Sequence, residues 1–239
     1  MKIALIGYGK MGHAIERIAL ERGHEIVARI DIHNHADIES EAFRSADVAI
    51  EFTTPATAFD NCEAAMRQGV PVVCGSTGWT SAMPRMEALV NELGAKFFWT
   101  SNFSLGVNIF FEINRRLAEM MNRFPAYTPS MKEIHHIHKL DHPSGTAVSL
   151  AEDIVESVDR IGRWTENPVE PGAMFIDHER QGEVPGTHII TWDSAVDTIT
   201  LEHRAKSRDG FALGAVIAAE WLPGCKPGFH HMTELLAAL

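Results

Sequence analysis

The first twelve residues, MKIALIGYGKMG, constrain the fold more than any other segment. A short apolar run, 2–7, passes straight into Gly7, Gly9 and Gly12 in G-x-G-x-x-G spacing, and an amphipathic stretch over 10–22 follows. Strand, glycine turn and helix in that order open a dinucleotide-binding βαβ unit. Gly7 makes the tight turn and Gly9 lets the main chain approach a pyrophosphate. Gly12 lets helix and strand pack closely, with the phosphates at the helix N-terminus. Asp31 follows the strand-like run 25–30, 19 positions beyond Gly12. A carboxylate there bonds a free ribose 2′-OH and repels a 2′-phosphate, and the neighbouring Ile32 offers no cation. The pattern therefore favours NADH, with NADPH as the alternative.

Further strand-like runs at 47–53, 70–76 and 96–102 alternate with helix-length stretches at 55–68 and 81–93. Pro55 opens one helix, and Gly69 and Gly94 lie just past the ends of two, the expected asymmetry of helix termini. Apolar strands alternating with helices imply a parallel sheet covered on both faces. After residue 102 the rhythm changes. A helix over 105–121 leads through a Pro-containing loop to SMKEIHHIH, and another helix starts at Gly145-Thr146. The run 187–205 reads as a hairpin around a Ser194–Asp197 turn, and the apolar segment 211–222 reads as a buried helix. The expected fold is α/β. A Rossmann-like dinucleotide-binding domain takes 1–102 and 210–239, and a second α+β domain with a mixed sheet takes 103–209. CGSTGW (74–79) and TSNFSLG (100–106) fall at carboxyl ends of expected strands. There they either flank a nicotinamide ring or form plain connecting loops.

The stretch EIHHIHKLDHPSGTA, 133–147, gathers His135, His136, His138, Lys139 and His142 within eight positions. On a strand His136 and His138 would share one face and His135 the other. Metal ligation is disfavoured, because that arrangement does not converge the histidines and nothing marks Cys62 or Cys74 as a partner. A solvated loop is the plain alternative. Three features speak against it. Clustered cations repel unless an anion or acid offsets them. Ser144 and Thr146 can cap a helix whose free N–H groups hold an anion. The net charge is −11, so binding an anion requires positive charge to be concentrated locally. The cluster therefore suits carboxylate binding and proton donation near neutral pH.

The same net charge argues against broad nucleic-acid affinity. No apolar run reaches the length needed to span a bilayer. The three dispersed cysteines, Cys62, Cys74 and Cys225, fit reduced thiols, so a cytoplasmic location is expected.

GYGKMG, EFTTP, CGSTGW, SNFSLGVNIF, EIHHIHKLDHPSGTA, PGTH and HRAKSRDGFALGAV stand in the order seen in dihydrodipicolinate reductases. The chain resembles that family, also called 4-hydroxy-tetrahydrodipicolinate reductases, of diaminopimelate and lysine biosynthesis. The glycine loop is one residue shorter than the family's usual form. The resemblance implies that His135 and Lys139 are the catalytic acid groups. It implies that His136, Ser144, Gly145 and Thr146 bind a small dicarboxylate substrate. Gly7, Tyr8, Gly9, Lys10, Met11, Gly12 and Asp31 would hold the dinucleotide. Gly75, Ser76, Thr77, Ser101, Asn102, Phe103 and Ser104 would lie near its nicotinamide end. No metal is implied, and the expected assembly is a homotetramer built through the sheet of the second domain.

Overall fold

The structure, a computed structural model, describes residues 1–207 and 209–239. Two compact units divide it, Met1–Leu105 with Asp209–Leu239, and Gly106–Arg208. The chain begins with β1 (Lys2–Ile6), α1 (Lys10–Glu21), β2 (Glu25–Ile30), α2 (Glu41–Arg44) and β3 (Val48–Glu51). It continues through α3 (Ala58–Arg67), β4 (Val72–Cys74), α4 (Met83–Leu93) and β5 (Lys96–Trp99). Then come α5 (Leu105–Met121), β6 (Thr128–His135), α6 (Gly145–Ser157), β7 (Arg163–Thr165) and β8 (Ala173–Arg180). The hairpin β9 (Thr187–Asp193) and β10 (Thr198–Arg204) precedes α7 (Asp209–Trp221), β11 (Gly228–His230) and α8 (Met232–Ala238).

The first unit is a parallel sheet in the order β11-β5-β4-β3-β1-β2. Both faces are covered, so its strands are apolar on both sides. Ala4 and Ile6 pack with Phe59 and Cys62 of α3 and with Met86 and Leu89 of α4. Ile3 and Leu5 pack with Ile15 and Ile18 of α1, with Ala215 and Val216 of α7, and with Leu235 of α8. Phe97 and Phe98 divide in the same way, one to each core. Full burial of such side chains stabilises the fold by about 2–3 kcal/mol each. The near-absence of polar residues in FALGAVIAAEW follows from the position of α7 against this sheet. A Cβ at Gly214 would stand 1.8 Å from the carbonyl oxygen of Phe103, so close helix packing there requires glycine.

The second unit is a mixed sheet in the order β10-β9-β6-β8-β7. Strand β6 runs parallel to β8 and antiparallel to β9, β8 runs parallel to β7, and β9–β10 is the hairpin about 194–197. Met131, Met174, Ile176, Ile190 and Trp192 face Leu150, Ala151 and Ile154 of α6 and Phe110, Ala118 and Met121 of α5.

Local chemistry moved several boundaries. The carbonyl of Thr54 accepts the amides of Thr57 and Ala58, so 55–57 form a turn and α3 starts after Pro55. A 3₁₀ turn over Thr80–Ala82 takes the first residues expected for α4. Strand β6 stops at His135. The amide of Ile137 donates to Gly182 and that of Lys139 to His136, so His136 and His138 lie in a turn and share no strand face. The short strands β7 and β11, and β8 with its charged residues, carried no clear alternation in the sequence. Among the described residues no helix is long and apolar enough to cross a membrane.

Candidate active site

In the second unit the site is organised around a carboxylate. Glu133 is fully buried on β6, facing the N-terminus of α6. Both of its oxygens accept the Ser144 amide at 3.1 Å. Nη2 of Arg180 donates to Oε1 at 3.3 Å. Nδ1 of His135 lies 3.4 Å from Oε2, in ion-pair range but out of hydrogen-bond alignment, and Nε2 of His188 lies 3.9 Å away. Sheet register brings these groups together, pairing Glu133 with His188 on β9 and His135 with Arg180 on β8. Sequence reasoning missed Glu133, Arg180 and His188. Glu133 opens the histidine stretch and His188 closes PGTH, but only the strand pairing connects them.

Arg180 also shapes the loop that follows β6. Its guanidinium donates to the carbonyls of Lys139 (3.2 Å), Asp141 (2.6 Å) and Glu179 (3.0 Å). Lys139 is mostly buried, and its ammonium bonds both Asp141 oxygens, at 2.9 and 2.7 Å. His136 is half-buried, with its ring 6.0 Å from that of His138. Nδ1 of His135, His136 and His188 are buried and lack a hydrogen-bond partner among the described residues. Close contact fixes His135 on another side, since a Cβ at Gly186 would meet its Nε2 at 3.1 Å.

Ser144 is the N-cap of α6. Its hydroxyl accepts the Ala147 amide at 3.2 Å and its amide is held by Glu133, so both groups are used in building the turn. Beyond it, Gly145 is exposed and Thr146 half-buried at the start of a helix whose first turn carries no acidic side chain. Their N–H groups make the positive end of the helix, suited to a carboxylate.

Burial is the largest influence on each titrating group. It pushes Glu133 upward, but the Ser144 bonds, His135 and Arg180 outweigh it, and the carboxyl is held below its ordinary value. Burial lowers His135, opposed by Glu133 and reinforced by Lys139, Arg180 and His136. His188 is pushed down to about 4 by burial, with His135 adding to the shift. The result is a buried anion that partly offsets burial, while both histidines stay below their ordinary value.

In the first unit, Gly7 adopts φ +92°, and a Cβ there would overlap the Phe52 carbonyl at 2.0 Å. A Cβ at Gly12 would lie 2.4 Å from the Gly7 carbonyl, whereas the space above Gly9, the N-cap of α1, is open. Lys10 is exposed beside it and Met11 packs partly into the core. The main chain of Gly9–Gly12 thus fits a pyrophosphate. Tyr8 donates its hydroxyl to Glu16, which also accepts Arg29. Arg29 stands two residues before Asp31 and was not considered from the sequence. Its charge is committed to Glu16. Asp31 is exposed, with one oxygen on the Ile32 amide at 2.8 Å.

The other loops contribute unequally. A Cβ at Gly75 would strike the Phe52 ring at 2.1 Å. Ser76 turns inward, donating to the buried Glu51 at 3.1 Å and accepting the Thr53 amide at 2.8 Å, while Thr77 is exposed. Ser101 is exposed, and the Asn102 side chain accepts the Ser104 amide at 2.9 Å. Ser104 is buried, and the Phe103 ring is buried against Phe52 and Phe98. Phe103 can therefore meet a ligand only through its main chain.

Comparison with known proteins bears on the family and the fold. The family model for the N-terminus of dihydrodipicolinate reductase matches residues 1–103, and that for its C-terminus matches 106–236. A 4-hydroxy-tetrahydrodipicolinate reductase of Christiangramia forsetii is 43% identical, covering 100% of this chain and 99% of that protein. One from Archaeoglobus fulgidus is 35% identical, covering 99% of this chain and all of the other. The fold also matches a dipicolinate-bound dihydrodipicolinate reductase from Paenisporosarcina sp. TG-14, with TM-score 0.75, 21% identity and 97% of each chain covered. With both halves matched and relatives aligned along its whole length, this chain belongs to the dihydrodipicolinate reductase family.

Proposed function

We propose that the protein reduces 4-hydroxy-tetrahydrodipicolinate, through its dehydrated form dihydrodipicolinate, to tetrahydrodipicolinate, using NADH in preference to NADPH. The reading is carried by one observation: a buried carboxylate binds together a histidine, an arginine-held lysine loop and the N-terminus of a helix. When bound, the dinucleotide supplies the hydride that adds to C4 of the ring. The residues of this chain do the rest. Gly145 and Thr146 at the start of α6, with His136, bind the substrate carboxylates. Substrate carboxylate displaces Asp141 from Lys139, whose ammonium then neutralises the anion. His135, supported by Glu133, delivers a proton to the carbon adjacent to C4, with Lys139 as the second acid. Gly7–Gly12 carry the pyrophosphate and Asp31 the ribose, with Arg29 held away from a 2′-phosphate by Glu16.

The assembly is a homotetramer formed through the five-stranded sheet. One face of that sheet is covered by α5 and α6, and half-exposed residues such as Lys132, Phe175 and Ile189 supply the other.

The test is steady-state reduction of enzymatically generated substrate, followed by nicotinamide absorbance, with NADH and NADPH in parallel. Turnover should be higher with NADH, and Lys139→Ala should lower kcat/KM by ~100-fold or more, within the range of acid catalysis. A native protein that binds NADH yet reduces nothing refutes the reading.

A further inference from the structure

Apart from the site built on Glu133, three residues of the second unit converge on the surface. His142 lies in the loop after β6, Glu166 follows β7 and His178 lies on β8. Nδ1 of His142 is 2.9 Å and Nδ1 of His178 3.2 Å from the same oxygen, Oε1 of Glu166. The two imidazoles are stacked, with centroids 4.3 Å apart and planes 14° from parallel. All three donor atoms lie within 4.8 Å of one another, and all three residues are exposed.

We propose that His142, Glu166 and His178 form a binding site for a divalent transition metal of the zinc class. A four-coordinate ion with bonds of about 2.0–2.1 Å sets its donors about 3.3 Å apart, so both measured N–O separations are already close to those of a coordination shell. Two imidazole nitrogens and one carboxylate oxygen suit zinc, copper or nickel better than magnesium or calcium, which prefer oxygen donors. A shared ion must lie near the plane of each ring, so binding turns one of the two stacked imidazoles out of parallel. Three protein donors leave at least one position for water. The donors come from three separate segments, so a bound ion cross-links them. Because His142 is two residues before Ser144, the cross-link also anchors the turn that begins α6.

The same spacing would serve two N–H···O hydrogen bonds, so the test must detect coordination itself. The full-length chain, freed of metal by chelator, is titrated with ZnCl2 by calorimetry and with CoCl2 by visible absorption. His178→Ala and Glu166→Gln are measured alongside. Both replace exposed side chains, and their thermal transitions in chelator report whether they fold. The native chain should bind one equivalent of Zn2+ at this site and give a Co2+ spectrum of low coordination number. Each variant should bind at least ~10-fold more weakly and lose that spectrum. An absence of Zn2+ binding to the native chain overturns the proposal. So does undiminished binding by both variants, which would place the ion elsewhere, such as on Glu133, His135 and His188.

Discussion

The buried carboxylate of Glu133 offers the sharpest test of how this site works. In Glu133→Gln the shape is retained and one acceptor oxygen remains for the Ser144 amide, but the charge is gone. A hydrogen bond to a charged group contributes roughly 1.5–3 kcal/mol and a neutral one about 1, so the Ser144 contact weakens by about 1 kcal/mol. The Arg180 contact adds about 1–2 kcal/mol. That is less than a fully buried pair would lose, because the Arg180 side chain is 19% exposed and keeps three carbonyl acceptors. Unfolding by urea should therefore show a loss of about 2–3 kcal/mol. The effect on activity has a separate origin. Glu133 is the contact that raises the His135 pKa, against burial, Lys139, Arg180 and His136. Without it, His135 holds its proton only at lower pH, even when substrate carboxylates arrive nearby. The alkaline limb of kcat against pH should move to lower pH, and kcat at neutral pH should fall by ~10–100-fold, while Glu133→Asp recovers part of both. A folded Glu133→Gln enzyme with native kcat and an unmoved alkaline limb would refute the argument.

Acid should weaken the second unit through His188. Its folded pKa is about 4, below the ordinary 6.5, so the unfolded chain takes up the proton first as pH falls. Its contribution, about 3 kcal/mol, is intact above pH ~6.5 and is lost as pH drops towards ~4. Chemical unfolding across that interval should show the decline, and His188→Phe should flatten it. Gly186 takes φ +157°, which alanine rarely adopts, so Gly186→Ala should lower the unfolding midpoint, displace the His135 ring by a few tenths of an ångström and lower kcat by ~10-fold. Unchanged kcat would show that the ring's position there is not critical.

The parallel sheet was legible because the same alternation of apolar strands and helices recurs through the first hundred residues. The glycine loop was legible because backbone clashes at Gly7 and Gly12 leave those positions no other residue. The histidine loop announced itself by composition. What stayed hidden depends on contacts between distant segments. Glu133 looks like any strand glutamate until β8 and β9 pair with β6, and Arg180 like any surface cation until its hydrogen bonds to the loop are seen. The family resemblance put Ser76 and Phe103 near the cofactor, on loops whose position allowed it, yet packing turns their side chains inward. Loop position in a sequence locates the main chain and does not reveal which way a side chain faces.

Arg180 binds the lysine loop by its carbonyl oxygens at 139 and 141, groups that every residue type possesses. That hold on the loop is therefore independent of what its side chains are, although the Lys139–Asp141 ion pair is not. Lys139, Leu140 and Asp141 can be exchanged to alter charge or substrate reach without rewriting the instructions for the loop's shape. Arg180 carries no such freedom. A protein engineer seeking a different acid or a different substrate should vary the three and leave the fourth alone.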